Sequence, residues 1–299
     1  MSLIAFFGAL ESGLIYALVA LGVLLSFRTL DFPDLTADGS FPLGGAIAGI
    51  SIVSGIDPWI ACGLGMLAGA AAGVVTAFLH VKLGILQLLA SILVMVALYS
   101  VNLRIMGAPN LPLLGEQTVF STLVTNENGY WMRCLIIGAV VLVAKLILDW
   151  FFSTEAGLSM RATGSNLRMA QAQGINTSWM TVIGMAISNA LIALGGALFV
   201  QTQGGADISI GIGTIVIGLA AVIIGETIIP AKRIWLITLA VILGAVIYKL
   251  FIQVALSSST LRSIGFGSQD LNLITALLVV IALQLPSIKS KLLSGRRSS

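Results

Sequence analysis

The sequence predicts an all-α fold: one polytopic bundle of membrane helices over residues 1–299. Three observations predict it. First, 58% of residues are hydrophobic and only 9% charged, where a soluble domain carries about 25% charged residues. Too few charges remain to clothe a water-facing surface. Second, the apolar residues fall in long unbroken runs, not the alternating short segments of an outer-membrane barrel. Third, the basic residues gather in the short connections. The net charge of +3 therefore reports topology and not an affinity for nucleic acid.

Helical spans are read at Leu3–Phe27, Phe41–Gly55, Trp59–Leu79, Ile85–Asn102, Cys134–Phe152, Met180–Gln201, Gly213–Ile229, Ile234–Gln253 and Leu271–Leu285. A full crossing needs about 20 apolar residues, so the second and seventh are candidates for broken or re-entrant helices. Eight to ten crossings are expected. The start, MSLIAFFGALESG, lacks a basic leader segment and reads as a retained span. With the C-terminus inside, the inner connections hold Arg28, Lys82, Arg161, Arg168, Lys232, Arg233 and the basic tail at 286–299. The outer ones hold only Arg104, Arg133 and Arg262.

After the first span comes RTLDFPDLTADGSFPLGGA. Asp31, Asp34 and Asp38 would be costly in lipid, and Pro33, Gly39 and Pro42 break helices. This is either a broken helix lining a polar cavity, with Asp34, Asp38, Ser40 and Phe41 on a solute path, or a solvated inner loop. Gly65, Gly69 and Gly73 give the third span a flat face for close packing within the bundle or for a dimer seam. His80 reads as a solvated turn residue. The outer segment 103–133 suits a small cap, a lateral helix or a plain connection. Lys145 and Asp149 can pair one turn apart. Asn189 and Gln201 are further candidates for the path. Glu226 lies close to Lys232 and Arg233, as an ordinary interfacial salt bridge or as a conformational ion pair at the inner gate. Glu11 is an acid within a span, suited to an interhelical hydrogen bond or to function.

Ser153–Trp179 is the longest polar stretch between apolar runs, and the rest of the chain is organised around it. Ser165 can cap a short helix over Asn166–Gln173, and Gly174 can supply its left-handed stop. Arg161 and Arg168 put it on the inner side. Ala170 and Ala172 are small enough to seat in a groove on a partner.

No nucleotide-cradling G-x-x-x-x-G-K-[ST], zinc H-E-x-x-H, C-x-x-C or G-x-S-x-G occurs. An enzyme is not expected, nor a cofactor bound by the chain itself. Uphill transport would draw its energy from elsewhere.

Three segments resemble a known family. GLIYALVALGVLLSFRTLDFPDLT, TEAGLSMRATGSNLRMAQAQGIN and IGLAAVIIGE resemble permeases of ATP-binding-cassette importers for branched-chain amino acids and simple sugars. The likeness runs over most of the chain, and its specific part is the cytoplasmic coupling loop. There the family pattern falls on Gly157, Arg161, Ala162, Asn166, Ala170, Gly174, Ile175 and Asn176, with Glu155 beside them as a loop-ordering or contact residue. DLTADGSFPLGGA departs from the branched-chain type and is similar to permeases of tryptophan/tyrosine importers that work with a lipoprotein receptor.

The resemblance implies a permease in the bacterial cytoplasmic membrane. Its partners would be a second permease copy, an ATPase dimer that binds the ATP, and an external solute-binding lipoprotein. Lipid surrounds it, and no nucleic acid is involved. An ion- or proton-coupled secondary transporter using Glu11, Asp38 and Glu226 is the competing class, and a structural subunit with no path of its own is a third.

Overall fold

The computed structural model describes residues 3–121, 129–231 and 233–257. In chain order the helices are α1 (Leu3–Val23), α2 (Ala37–Val53), α3 (Pro58–Val81), α4 (Gln87–Met106), α5 (Gly129–Ser153), α6 (Glu155–Ser165), α7 (Leu167–Ala172), α8 (Thr177–Gln203), α9 (Thr214–Ile228) and α10 (Ile234–Ser257). Two short strands, β1 (Asn110–Pro112) and β2 (Gly205–Asp207), pair antiparallel. Seven segments are long and apolar enough to cross a membrane, and α2 is a shorter apolar helix. With α2 this agrees with the expected eight to ten crossings. The expected span at Leu271–Leu285 and the basic tail lie outside the described residues.

α1 is the central post. From Ile15 to Leu25 every residue is buried, as an all-round apolar helix in a bundle core must be. It continues through a wider π-helical turn, Leu24–Thr29, marked by the Leu30 N–H donating to the Leu25 carbonyl at 3.0 Å. Asp31 then turns the chain back with φ 54°, a left-handed conformation that Asp tolerates better than most residues. The chain re-enters the bundle and α2 begins at Ala37, four residues before the expected Phe41. Gly39 and Pro42 therefore lie within the helix. Pro42 lacks the N–H that would bond the Asp38 carbonyl. That carbonyl instead faces Gly211, where a Cβ would stand only 2.0 Å from it.

The glycine face of α3 packs inside the bundle and is not a dimer seam. A Cβ on Gly69 would meet the Asn189 carbonyl at 2.4 Å, and one on Gly73 the Met185 carbonyl at 2.1 Å. α3 and α8 therefore touch backbone to backbone. The opposite face of α3, with Trp59, Leu67, Val75 and Phe78, is exposed.

The two ends of the bundle differ. One end carries Arg28, the His80–Lys82 turn, Arg161 and Arg168, and is termed the basic face. At the other, β1 pairs with β2, and the Val119 N–H donates to Gln201 Oε1 at 2.9 Å. The segment expected to be outer is thus a strand with turns pinned to α8, and no lateral helix forms among its described residues.

Candidate functional site

The polar stretch 153–179 folds as two helices in sequence. Thr154 starts α6 by accepting the Gly157 N–H on its hydroxyl at 3.3 Å. Gly157 sits against the Phe151 carbonyl, where a Cβ would come within 2.3 Å, so only glycine permits the tight elbow from α5. α6, a helix that was not expected, runs through Ser165, and Ser165 is therefore not the cap. Its hydroxyl bonds back to the Ala162 carbonyl at 3.0 Å. Asn166, extended at φ −160°, caps α7 instead, accepting the Met169 N–H at 3.0 Å. Gly174 stops α7 with φ 82°, and Asn176 caps α8 by accepting the Trp179 N–H at 3.2 Å.

Burial sorts this stretch into two faces. Gly157, Met160, Thr163 and Ala170 are buried toward the bundle. Ala170 is 2% exposed, so it seats α7 on its own protein and is not open to a partner; Ala172 is exposed. Outward face Glu155, Leu158, Arg161, Asn166, Leu167, Arg168, Met169 and Trp179, while Ala162 and Ile175 are half-buried. Met169 is 63% exposed and Leu167 50%. An apolar patch with two guanidinium groups on a membrane protein's basic face suits a soluble partner. The element bears directly on α1: a Cβ on Gly164 would lie 2.0 Å from the Thr29 carbonyl.

Beside it a cavity of about 950 Å³ opens among the π turn, α6 and the near ends of α9 and α10, lined in part by Arg28, Asp31, Arg161 and Glu226. Of the two partners expected for Glu226, Lys232 lies outside the described residues and Arg233 makes no ion pair with it among those described. Glu226 Oε1 accepts from Arg28 Nε at 2.9 Å, across from α9 to the π turn. Lys145 and Asp149 do pair, and Asp149 also accepts from Thr238 at 2.7 Å. His80 is half-buried, not solvated. Its Nδ1 lies 2.8 Å from the Ile85 carbonyl and its ring meets Phe32 edge-on.

The three aspartates of this segment, of which Asp34 and Asp38 were expected on a solute path, have separate fates. Asp31 is exposed at the chain reversal. Asp34 is 1% exposed and accepts from Asn189 Nδ2 at 2.7 Å and from the Thr36 N–H at 2.9 Å. Ser40 donates to Asn189 Oδ1 at 2.7 Å. So Asp34, Ser40 and Asn189 satisfy one another near the middle of α8, which excludes the plain solvated loop for this segment. Asp38 reaches across to α9, accepting the Gly213 and Ile215 N–H groups at 3.2 and 2.8 Å. It serves as a cap for a helix 175 residues further along. Gln201 lies at the end of α8 opposite the basic face, where its amide holds Val119, Cys62 Sγ and the Ala197 carbonyl.

One neighbouring group escaped the sequence reading. Lys249 of α10 sits 3.6 Å above the centroid of the Tyr16 ring. Tyr16 stacks on Phe41 at 5.6 Å, and both rings touch Phe199. The signal was present: a lone cation in an otherwise apolar span.

The whole chain is similar to known proteins. A model of the branched-chain amino acid transport system permease component family matches residues 5–284. A tyrosine transport system permease of Clostridioides difficile strain R20291 is 40% identical over 271 residues, covering 91% of this chain and 88% of that one. An uncharacterized protein of Rickettsia prowazekii is 34% identical, covering 92% and 95%. The ribose import permease of Escherichia coli K12 is 25% identical, covering 74% and 68%. The chain belongs to the branched-chain amino acid transport system permease family.

Proposed function

We propose that this chain is the membrane path of an ATP-driven importer, in the bacterial cytoplasmic membrane, for an amino acid handed over by an external solute-binding lipoprotein. The observation that carries the proposal is the capped α6–α7 element, exposed on the basic face and seated against the end of α1. The kinship with a tyrosine transport system permease supports an amino acid as cargo. In this reading the basic face is cytoplasmic, as is the C-terminus, and a second copy of the chain completes the permease. A cytoplasmic ATPase dimer binds the ATP and docks on Leu158, Leu167, Met169, Arg161 and Arg168.

α6 has no slack against the Thr29 carbonyl, so displacing it moves the π turn and the re-entrant segment behind it. π turns mark places where a helix yields. ATP can bias the bundle only by favouring one arrangement of this contact over another.

The test is reconstitution with the ATPase and receptor in proteoliposomes. Arg161→Glu reverses a charge on the docking face. Gly174→Pro forbids φ 82°, because proline holds φ near −65°. Both variants are expected to insert normally and to uncouple ATP hydrolysis from uptake. Normal transport in both would reject the assignment. Of the three acids a proton-coupled carrier would use, Asp38 and Glu226 are already partnered, which leaves Glu11. Uptake that survives collapse of the proton gradient but fails without the ATPase separates the two classes.

A further inference from the structure

Lys249 lies about 22 Å above Ile234 at about 1.5 Å per residue, deep within a spanning helix. An ammonium there is costly unless its charge is met. Among the described residues it has no hydrogen-bond or ion-pair partner; the Tyr16 ring face is its contact. A ring quadrupole offsets only part of that penalty. The site therefore holds an attraction for an anion that the described protein leaves unmet.

The surroundings narrow the anion. Tyr16, Phe41 and Phe199 come from α1, α2 and α8, with centroids 5.6–6.1 Å apart. Together they form an apolar wall with a single hydroxyl. Phe199 also lines a separate hollow of about 520 Å³ on the outer side, with Asn110, Leu114, Gln203, Asp207 and Ile210. One side chain thus stands between the outer hollow and the Tyr16–Phe41–Lys249 cluster.

We infer that this cluster is the solute-receiving site of the path. Lys249 takes a carboxylate, the three rings take an aromatic or large apolar side chain, and Phe199 is the movable plug between hollow and site. This rests on the permease reading and deepens it. The cargo it selects is a monocarboxylate amino acid. A sugar presents many hydroxyls and no charge, and the ring wall could satisfy few of them. The polar groups of Asp34, Ser40 and Asn189 are already engaged with one another.

The experiment compares binding of L-tyrosine and tyramine, which lacks the carboxylate, to the full-length permease in lipid nanodiscs. The wild type is expected to prefer L-tyrosine by about ten-fold or more, the scale of one charge-assisted hydrogen bond. Lys249→Met should abolish the preference and Lys249→Arg should keep it, whereas a merely structural lysine would change stability without changing the ratio. Phe199→Ala should speed exchange of bound tyrosine while preserving the preference. No preference in the wild type, or the same preference in Lys249→Met, overturns the inference. In the reconstituted importer, ATP-dependent uptake of D-ribose but of no amino acid would also overturn it, together with the amino-acid cargo, and leave only the ATP-driven path standing. Absence of any ATP-dependent uptake, with tyrosine still preferred over tyramine in nanodiscs, would count against the permease reading and not against the site.

Discussion

The proposed coupling element hangs on one side chain, and Asn166→Ala isolates it. α7 has six residues, far below the roughly 12–15 at which an isolated helix becomes even marginal in water. It is held by the Asn166 cap at its start, the buried methyl of Ala170, and the turn at Gly174, where the Ile175 N–H donates to the Ala170 carbonyl at 3.1 Å. Losing an asparagine cap costs about 1 kcal/mol, which shifts the folded-to-frayed ratio about five-fold. On the proposed function, an ATPase pushing on a frayed end would turn over without moving α6. The measurable is ATP hydrolysed per solute imported in proteoliposomes, and Asn166→Ala is expected to raise it severalfold. Asn166→Asp, which can still cap, should stay near the wild type. Ser165→Ala supplies the internal control: its hydroxyl only bonds back to Ala162, and its loss should change little. If Ser165→Ala uncoupled the system as strongly as Asn166→Ala, the cap assignment would be refuted.

Three further outcomes follow from the packing. Gly73→Ala should lower the thermal midpoint in detergent, since its Cβ would stand 2.1 Å from the Met185 carbonyl and overpacking costs about 1–3 kcal/mol. Gly63→Ala on the same helix meets nothing within 4 Å and should not lower it. Asn189→Leu strips the buried Asp34 carboxylate of a donor and Ser40 of its acceptor, at about 3 kcal/mol; an unchanged midpoint would contradict that network. Arg28→Ala should move the midpoint little, because the Arg28 and Glu226 side chains are 67% and 36% exposed and such pairs contribute about 0–1 kcal/mol. A large shift, reversed by exchanging the two residues, would show the pair to be a latch.

Much of the bundle was legible because apolar run length reports a span directly. Trp59–Leu79 was expected and Pro58–Val81 found; Met180–Gln201 was expected and Thr177–Gln203 found. What escaped depends on partners distant in the chain. A stretch with Asp34, Asp38, Gly39 and Pro42 looks like a loop until Asn189 and the start of α9 arrive to satisfy it, and no local pattern announces those partners. The error at Ser165 was different in kind. Serine and asparagine cap equally well, and the choice went to Asn166 because α6 extends through Ser165. Ala170 was misassigned because a small residue suits either face of a helix, and only packing decides which. Lys249 was visible but passed over, since a search for rows of charge overlooks a single one.

α2 and α9 meet start to start within the bundle, and this arrangement carries a mechanical consequence. Helix N-termini carry partial positive charge, so two facing ones repel unless an anion lies between them. Asp38, in the first turn of α2, is that anion, and it also accepts two N–H groups of α9. The two short helices are therefore tied at their starts. α2 carries Phe41 of the ring cluster. α9 ends at Glu226, which pairs with Arg28 on the π turn. That turn rests on Gly164 of α6 and leads through Asp34 back into α2. The α6–α7 element thus meets the ring cluster by two routes that rejoin at one carboxylate. Weakening the exposed Arg28–Glu226 pair leaves the α2 route whole, whereas loosening Asp38 separates the two, which makes Asp38 the more sensitive joint although it touches neither the docking face nor Lys249.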